Sequence, residues 1–283
     1  MRESISSAED FARFNLYAYR VVAPRIRHDL DERDEPIRHL LVLSAPRSGS
    51  TILGRLLNAN PAIAGFGENH ADYADLRDLD RLVYRTASMV PDFDARTMQW
   101  VFDKIVGPHD VSDELLTSEN LRYLFIARNP FAIYSSTIRL FDLPNTRETA
   151  ADWSVEYSDR VAQLTSILQA IGPDTGAWFG YEDLLENPTE TLAHLTGFLD
   201  LETPLSETFP AASGPLRLKY GDISGNVSAG KLVKPTETPP EPDPAVFDSE
   251  LVASVHETHN AYLDALAQHA QSRSPNNAPP PPK

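Results

Sequence analysis

Residues 44–51 read SAPRSGST and follow directly on the apolar run Leu40-Leu41-Val42-Leu43. Set against the phosphate-loop pattern G-x-x-x-x-G-K-[ST], Gly49 and Thr51 fall in place. Ser44 stands for the first glycine, and Ser50 stands where the lysine should be. A strand, such a loop and a helix gather backbone N–H groups and a helix N-terminus around one point, which binds phosphate with or without a lysine. Lacking the lysine, the loop has nothing to hold a γ-phosphate, so triphosphate chemistry is disfavoured. The apolar run LRYLFIA, residues 121–127, points the same way, because it ends in Arg128 and not in an aspartate that could orient Mg²⁺. An arginine at the C-terminal end of a strand lies in the crevice where α/β sheets bind ligands. Ser136 follows it eight residues later.

Three segments carry a family likeness. SAPRSGSTILGRLLNANP resembles the 5′-phosphosulfate loop of the sulfotransferases that use 3′-phosphoadenosine 5′-phosphosulfate (PAPS). IARNPFAIYSS is similar to that family's 3′-phosphate site, with Arg128 and Ser136 at the family's spacing. GYEDLLENPTETLAHLTGFLDL resembles its downstream YEDL…NP…L…FL segment. The three stand in the family's order and cover most of residues 40–200. The resemblance implies that Arg47, Ser48, Gly49, Ser50 and Thr51 meet the 5′ end of PAPS, Arg128 and Ser136 its 3′-phosphate, and Tyr181 its adenine. It implies no metal.

The resemblance also suggests who does the chemistry. AGFGENHADY is similar to the tyrosylprotein and bacterial branches in placing a glutamate, here Glu68, just after the strand that follows the phosphate-loop helix. There the glutamate is the base for the acceptor hydroxyl. The cytosolic branch uses a histidine in a Lys-x-His arrangement, but Lys104 is followed here by Ile105-Val106, which leaves His109 and His70 as the other candidates. VFDKI resembles the family's D/N-K element, whose lysine, here Lys104, lies near the transferring sulfuryl group. The implied catalytic set is therefore Glu68, Lys104 and Arg47. In LKYGDISGNVSAGK, Gly225-Asn226 resembles a glycine–asparagine turn over the 3′-phosphate. The family's following arginine is replaced, so Lys219 or Lys231 would supply that charge. The expected activity is PAPS-dependent sulfuryl transfer to a hydroxyl of a small molecule. Its rivals are an ATP-dependent small-molecule kinase, disfavoured by Ser50 and Arg128, and a non-catalytic nucleotide-binding protein.

Composition bounds the partners. The 283 residues are 41% hydrophobic and 23% charged, as a folded globular chain requires. Twenty-five basic residues against 41 acidic ones give a net charge of −16, a field that repels nucleic acid and polyanionic sugars. An anionic cofactor can bind only where cations and N–H groups are gathered, and lysine is scarce: Lys104, Lys219, Lys231, Lys234 and Lys283 are the whole set. With no cysteine, disulfides, thiol catalysis and cysteine-ligated metals are excluded. MRESISSAEDF lacks the layout of a signal peptide, and no run approaches the ~20 apolar residues of a membrane span. A cytoplasmic protein is expected, with a small-molecule acceptor, no nucleic acid and no membrane partner; a homodimer is left open. Tyr73, Tyr84, Phe93, Phe141 and Trp153 fall in segments (70–98, 141–155) that would shape an acceptor pocket, together with 205–245.

Positioning these residues calls for an α/β fold: a P-loop-containing, three-layer arrangement with a central parallel sheet flanked by helices. Apolar runs predict strands over 40–44, 62–66, 99–102, 121–127 and 177–181, and 3.6-residue periodicity predicts helices over 52–58, 131–140, 151–171 and 188–199. Helical character is also expected within 70–96 and in a final helix carrying Leu251, Val255, Tyr262 and Leu266. Alternating strands and helices imply right-handed parallel crossovers. One domain is expected over 1–270. It comprises an N-terminal helix over 7–27 with Ser7 as its cap and Phe11, Phe14, Tyr17 and Val21 as its stripe, a PAPS-binding core over 38–200, and a variable segment over 201–270. Residues 271–283 are expected to be a disordered tail.

Overall fold

Two uninterrupted apolar runs form the middle of a parallel sheet in the computed structural model, which describes residues 16–90, 92–172, 174–210, 230–233 and 241–271. The strands are β1 (Arg38–Ser44), β2 (Ile63–Gly65), β3 (Trp100–Ile105), β4 (Leu121–Ala127) and β5 (Gly176–Gly180). They lie all parallel in the order β2-β3-β1-β4-β5. Successive side chains of a strand point to opposite faces, so the run in β1 feeds two cores. Leu40 and Val42 join one apolar cluster, and Leu41 and Leu43 join the other. Each fully buried leucine is worth about 1.5–3 kcal/mol of burial.

Helices cover both faces. In chain order they are α1 (Ala23–Asp31), α2 (Ser50–Asn58), α3 (Leu76–Met89), α4 (Asp113–Leu116), α5 (Pro130–Phe141), α6 (Arg147–Ala170), α7 (Tyr181–Glu186), α8 (Pro188–Phe198) and α9 (Ser249–His269). Leu53, Leu56 and Leu57 of α2 and Leu192 and Leu195 of α8 cover the Leu40–Val42 face. Leu82 of α3, Phe131 of α5, Leu164 and Leu168 of α6, and Leu266 of α9 cover the other. The helix starts follow local chemistry. Asn129 accepts from Ala132 N at 3.1 Å ahead of Pro130, and Asp75 and Asp78 form a capping box at α3.

Several boundaries differ from expectation. Residues 1–15, with Ser7, Phe11 and Phe14, lie outside the described residues. Beyond them the helical path runs to Asp31 and not 27, and it contains a π turn over Ala18–Val22. The wider turn advances the apolar stripe by one position. Val22 is therefore buried instead of Val21, and Tyr17 is 39% exposed. β3 does not stop at 102 but carries Asp103 and Lys104 inside the sheet. β5 ends at Gly180, so Tyr181 opens α7. After α9, Gln271 lies along β5, accepting from Trp178 N at 3.1 Å and donating to Gly176 O at 2.9 Å. No helix among the described residues is long and apolar enough to cross a membrane.

Candidate active site

The loop between β1 and α2 bends through two left-handed residues, Arg47 (φ 66°) and Gly49 (φ 96°). Gly49 opens α2 and, having no side chain, gives no cap to the helix's first N–H groups. Glycine is required there twice over, by its φ and by a neighbour. A Cβ added at Gly49 would stand 2.3 Å from Cδ2 of Tyr181. The Tyr181 ring thus lies against the loop backbone, and Arg128 covers the ring, its Cζ 4.4 Å from the centroid. Arg128 Nη1 also donates to the carbonyl of Arg47 at 2.5 Å, and Arg47 Nε donates to Ser136 Oγ at 3.1 Å. By sequence, Arg47 serves one anionic end and Ser136 the other; in the structure they are joined into a single linked cluster with Arg128, Tyr181 and Gly49.

This cluster is electropositive. Burial lowers the pKa of Arg47, and the charges of Arg128 and Arg139 lower it further, against the pull of Glu68. Arg139, one turn beyond Ser136 on α5, is a third guanidinium that the sequence pattern did not single out. Burial likewise lowers the pKa of Arg128. Ser48 Oγ and Arg128 Nε are buried without a hydrogen-bond partner. Such groups cost about 1–3 kcal/mol each when unanswered. Two buried donors, three guanidinium groups and an uncapped helix start fit a ligand rich in phosphate oxygens. Of the other loop residues, Ser50 is buried and Thr51 half-buried at the first turn of α2.

A second cluster lies at the C-terminal ends of β2 and β3. Lys104 Nζ donates to Glu68 Oε1 at 3.1 Å; the lysine side chain is 3% exposed and the glutamate 32%. Lys104 runs over α2, where a Cβ added at Gly54 would meet its Cδ at 3.7 Å. Beneath the pair lies Asp103, 1% exposed. Its Oδ1 accepts from Asn69 N (3.0 Å), Asn69 Nδ2 (2.9 Å) and Lys104 N (2.8 Å), and its Oδ2 accepts from Tyr73 OH (2.7 Å). Burial raises the pKa of Asp103, and these hydrogen bonds oppose the rise. Burial likewise holds the Tyr73 phenol well above its ordinary range.

Other candidates sit elsewhere. His109 Nδ1 is 3.3 Å from Asp72 Oδ1, a surface pair, and its ring centroid is 6.0 Å from that of His70. Lys231 is exposed and bridges Thr208 through its backbone, while Lys219, Gly225 and Asn226 lie outside the described residues. The aromatics expected to line an acceptor pocket are mostly core. Tyr73 is bonded to Asp103, Tyr84 packs against Ala18 and Ala23, and Trp153 stacks on Tyr157 at 5.2 Å. Phe141, by contrast, is 62% exposed. Tyr73 and Trp153 belong to the core under the sheet, and Tyr84 of α3 is taken up by the N-terminal helices, so none of the three is left to line a pocket. Among the described residues, no group of three or more His, Asp or Glu is placed to hold a metal ion.

Arg160 of α6 also escaped notice in the sequence. It is buried, its Nε donates to Ser44 O at 3.1 Å, and its Nη2 donates to Ile105 O at 2.5 Å. It ties together the ends of β1 and β3, from which both clusters hang. Burial lowers its pKa to about 10.

A family model described as a sulfotransferase domain matches residues 37–211, more than half of the chain and a span that holds both clusters. Among solved structures, the chain is similar to the sulfotransferase domain of the Synechococcus PCC 7002 olefin synthase, at 17% identity over 81% of this chain and 96% of that one, with a TM-score of 0.49. It is also similar to sulfotransferase STF9 from Mycobacterium avium, at 12% identity over 94% and 86%, with a TM-score of 0.49. A third is the sulfotransferase from Alicyclobacillus acidocaldarius, at 12% identity over 83% and 96%, with a TM-score of 0.46. No curated protein sequence matches the chain. The assignment to a family rests on the family model, not on these distant structures.

Proposed function

The chain belongs to the sulfotransferase domain family; we propose that it moves a sulfuryl group from PAPS to a hydroxyl of a small molecule and that Glu68 takes the hydroxyl's proton. The kinase alternative falls with the family assignment. One observation carries the rest: Glu68 Oε1 and Lys104 Nζ stand 3.1 Å apart, a carboxylate and a cation side by side where two strands end.

PAPS, when bound, supplies a sulfuryl group on a phosphate that leaves as part of 3′,5′-bisphosphoadenosine. The work of the chain is to hold charge and to take a proton. Glu68 is the more exposed member of its pair, so its carboxylate can reach an acceptor hydroxyl and hold the proton at an Oε. A positioned base of this kind contributes ~10²–10⁴-fold. Lys104, Arg47 and the uncapped N-terminus of α2 place fixed positive charge where negative charge grows on the leaving phosphate. Such preorganised groups need no rearrangement as the reaction proceeds. Arg128 and Ser136, with Ser48, Gly49, Ser50 and Thr51, would hold the nucleotide's anionic groups, and Tyr181 would flank its base. The net charge of −16 favours a small acceptor over a polyanionic sugar chain.

The test is bisphosphate release from PAPS across a panel of hydroxyl compounds. Glu68→Gln should lower turnover by about 10²–10⁴-fold and leave bisphosphate affinity within a few-fold, because it removes an interaction made only in the transition state. Lys104→Ala should cut turnover and also weaken nucleotide binding, and His109→Ala should be nearly silent. An inactive His109→Ala beside an active Glu68→Gln would give the base to the histidine.

A further inference from the structure

We propose that Asp103 is the positioning residue that sets Glu68 against Lys104, an inference that rests on Glu68 being the base. Glu68 sits between two anchors. On one side Gly67 O accepts from Lys104 N at 3.1 Å; on the other, Asn69 is held through both its backbone N–H and its side-chain amide by Asp103 Oδ1. The same Oδ1 takes the Lys104 amide at 2.8 Å. One oxygen therefore clasps the residue after the base and the backbone of the residue whose side chain is the cation. The turn it holds is not one the chain adopts freely, since Gly67 (φ 132°) and His70 (φ 47°) are both at positive φ.

The residue type follows from the count of donors. An ionised carboxylate offers about four lone-pair sites and no hydrogen, and Asp103 meets four donors, the fourth being Tyr73 OH at 2.7 Å. Tyr73 is itself fixed by its own backbone, which donates to Asp110 O at 2.8 Å and accepts from Ser112 N at 2.9 Å. The clasp is thus built on the fold and does not float with the loop. Asp103 is buried beneath the pair, so it acts through Glu68 and Lys104 and not on the acceptor.

The experiment is a set of double-mutant cycles on the full-length protein, reading kcat for bisphosphate release and bisphosphate Kd. Asp103→Ala should lower kcat by about 10²-fold, the cost of a misplacement near 1 Å, with Kd within about threefold. Asp103→Asn keeps an oxygen for Asn69 and Lys104, and its amide can donate to the Tyr73 hydroxyl, so it should recover at least about tenfold of that loss. Beside Glu68→Gln, adding Asp103→Ala should cost less than about threefold, because both changes disable one unit. A further loss near 10²-fold there would overturn the proposal, as would a Kd that worsens in step with kcat. Should Asp103→Ala fail to fold, Asn69→Ala runs the same cycle, with a loss of about tenfold that vanishes beside Glu68→Gln. A fully active Glu68→Gln would sink the base assignment alone; the cycle of Asp103→Ala with Lys104→Ala then decides for Asp103 by the same criterion.

Discussion

Replacing Gly49 by alanine adds one carbon at the tightest point of the phosphate loop. That carbon would lie 2.3 Å from Cδ2 and 2.5 Å from Cε2 of Tyr181, against an ordinary carbon–carbon contact of about 3.5–4.0 Å. The ring must therefore retreat by roughly 1 Å or more, at an overpacking cost of about 1–3 kcal/mol. Separately, a φ of 96° strains any L-residue, by about 1–3 kcal/mol. The retreating ring also leaves Arg128, 4.4 Å away, whose stacking is worth about 0.5–2 kcal/mol. The loop can relieve these costs by abandoning its shape, but binding an anion would reimpose it. The penalty thus appears in unfolding free energy, in bisphosphate affinity, or divided between them, with a sum of at least about 2 kcal/mol. If all of it fell on binding, Kd would rise about 30-fold. Chemical denaturation and calorimetry on the same preparation measure the two parts. In a Tyr181→Ala background only the backbone part should survive, giving a coupling of at least about 1 kcal/mol. A Gly49→Ala protein unchanged in both quantities to within about 0.5 kcal/mol, or an additive cycle, would refute the steric account.

Arg128→Ala should narrow the affinity gap between 3′,5′-bisphosphoadenosine and adenosine 5′-phosphate by about 1.5–3 kcal/mol, the scale of a charge-assisted hydrogen bond; equal wild-type affinities by calorimetry would remove Arg128 and Ser136 from the 3′-phosphate site. His259 accepts from or donates to Tyr157 OH at 2.8 Å, and burial, with the charge of His256, lowers its pKa to about 4. The folded state then binds fewer protons than the unfolded one, so this contribution is fully present above about pH 6.5 and is lost as pH falls toward 4, on the order of 3 kcal/mol in all. Urea midpoints at pH 7 and pH 4.5 should lie measurably closer together in His259→Gln than in the wild type.

Sequence pattern revealed the sheet's centre because burial on both faces leaves an unbroken apolar run, as in LLVL (residues 40–43) and YLFIA (residues 123–127). It placed the phosphate loop because φ and spacing constrain residue type there, Gly49 above all. It lost the end of β3, where the charges of Asp103 and Lys104 look like an exit from the core. Their burial depends on Asn69 and Tyr73, more than 25 residues earlier in the chain, with the Asn69 contact spanning 34 positions and the Tyr73 contact 30. The link from Arg47 to Ser136 spans 89 positions and Arg160's grip on Ser44 spans 116, so neither leaves a local signature. The four residues of α4 and six of α7 are too short to show a period. At the N-terminal turn the period was present but shifted, because a π turn is invisible to a 3.6-residue template.

The strand-like contact of Gln271 with Gly176 and Trp178 has a consequence for the newborn chain. An open sheet border is a template for foreign strands, and covering it guards against aggregation. Here the cover comes from a residue made 91 positions after β5 is finished at Gly180. At about 5–20 residues per second, synthesis leaves that border uncovered for roughly 5–20 s on every ribosome. The protein's hazard of sticking to its neighbours is concentrated in that interval, when the sheet is complete and its guard is still to come.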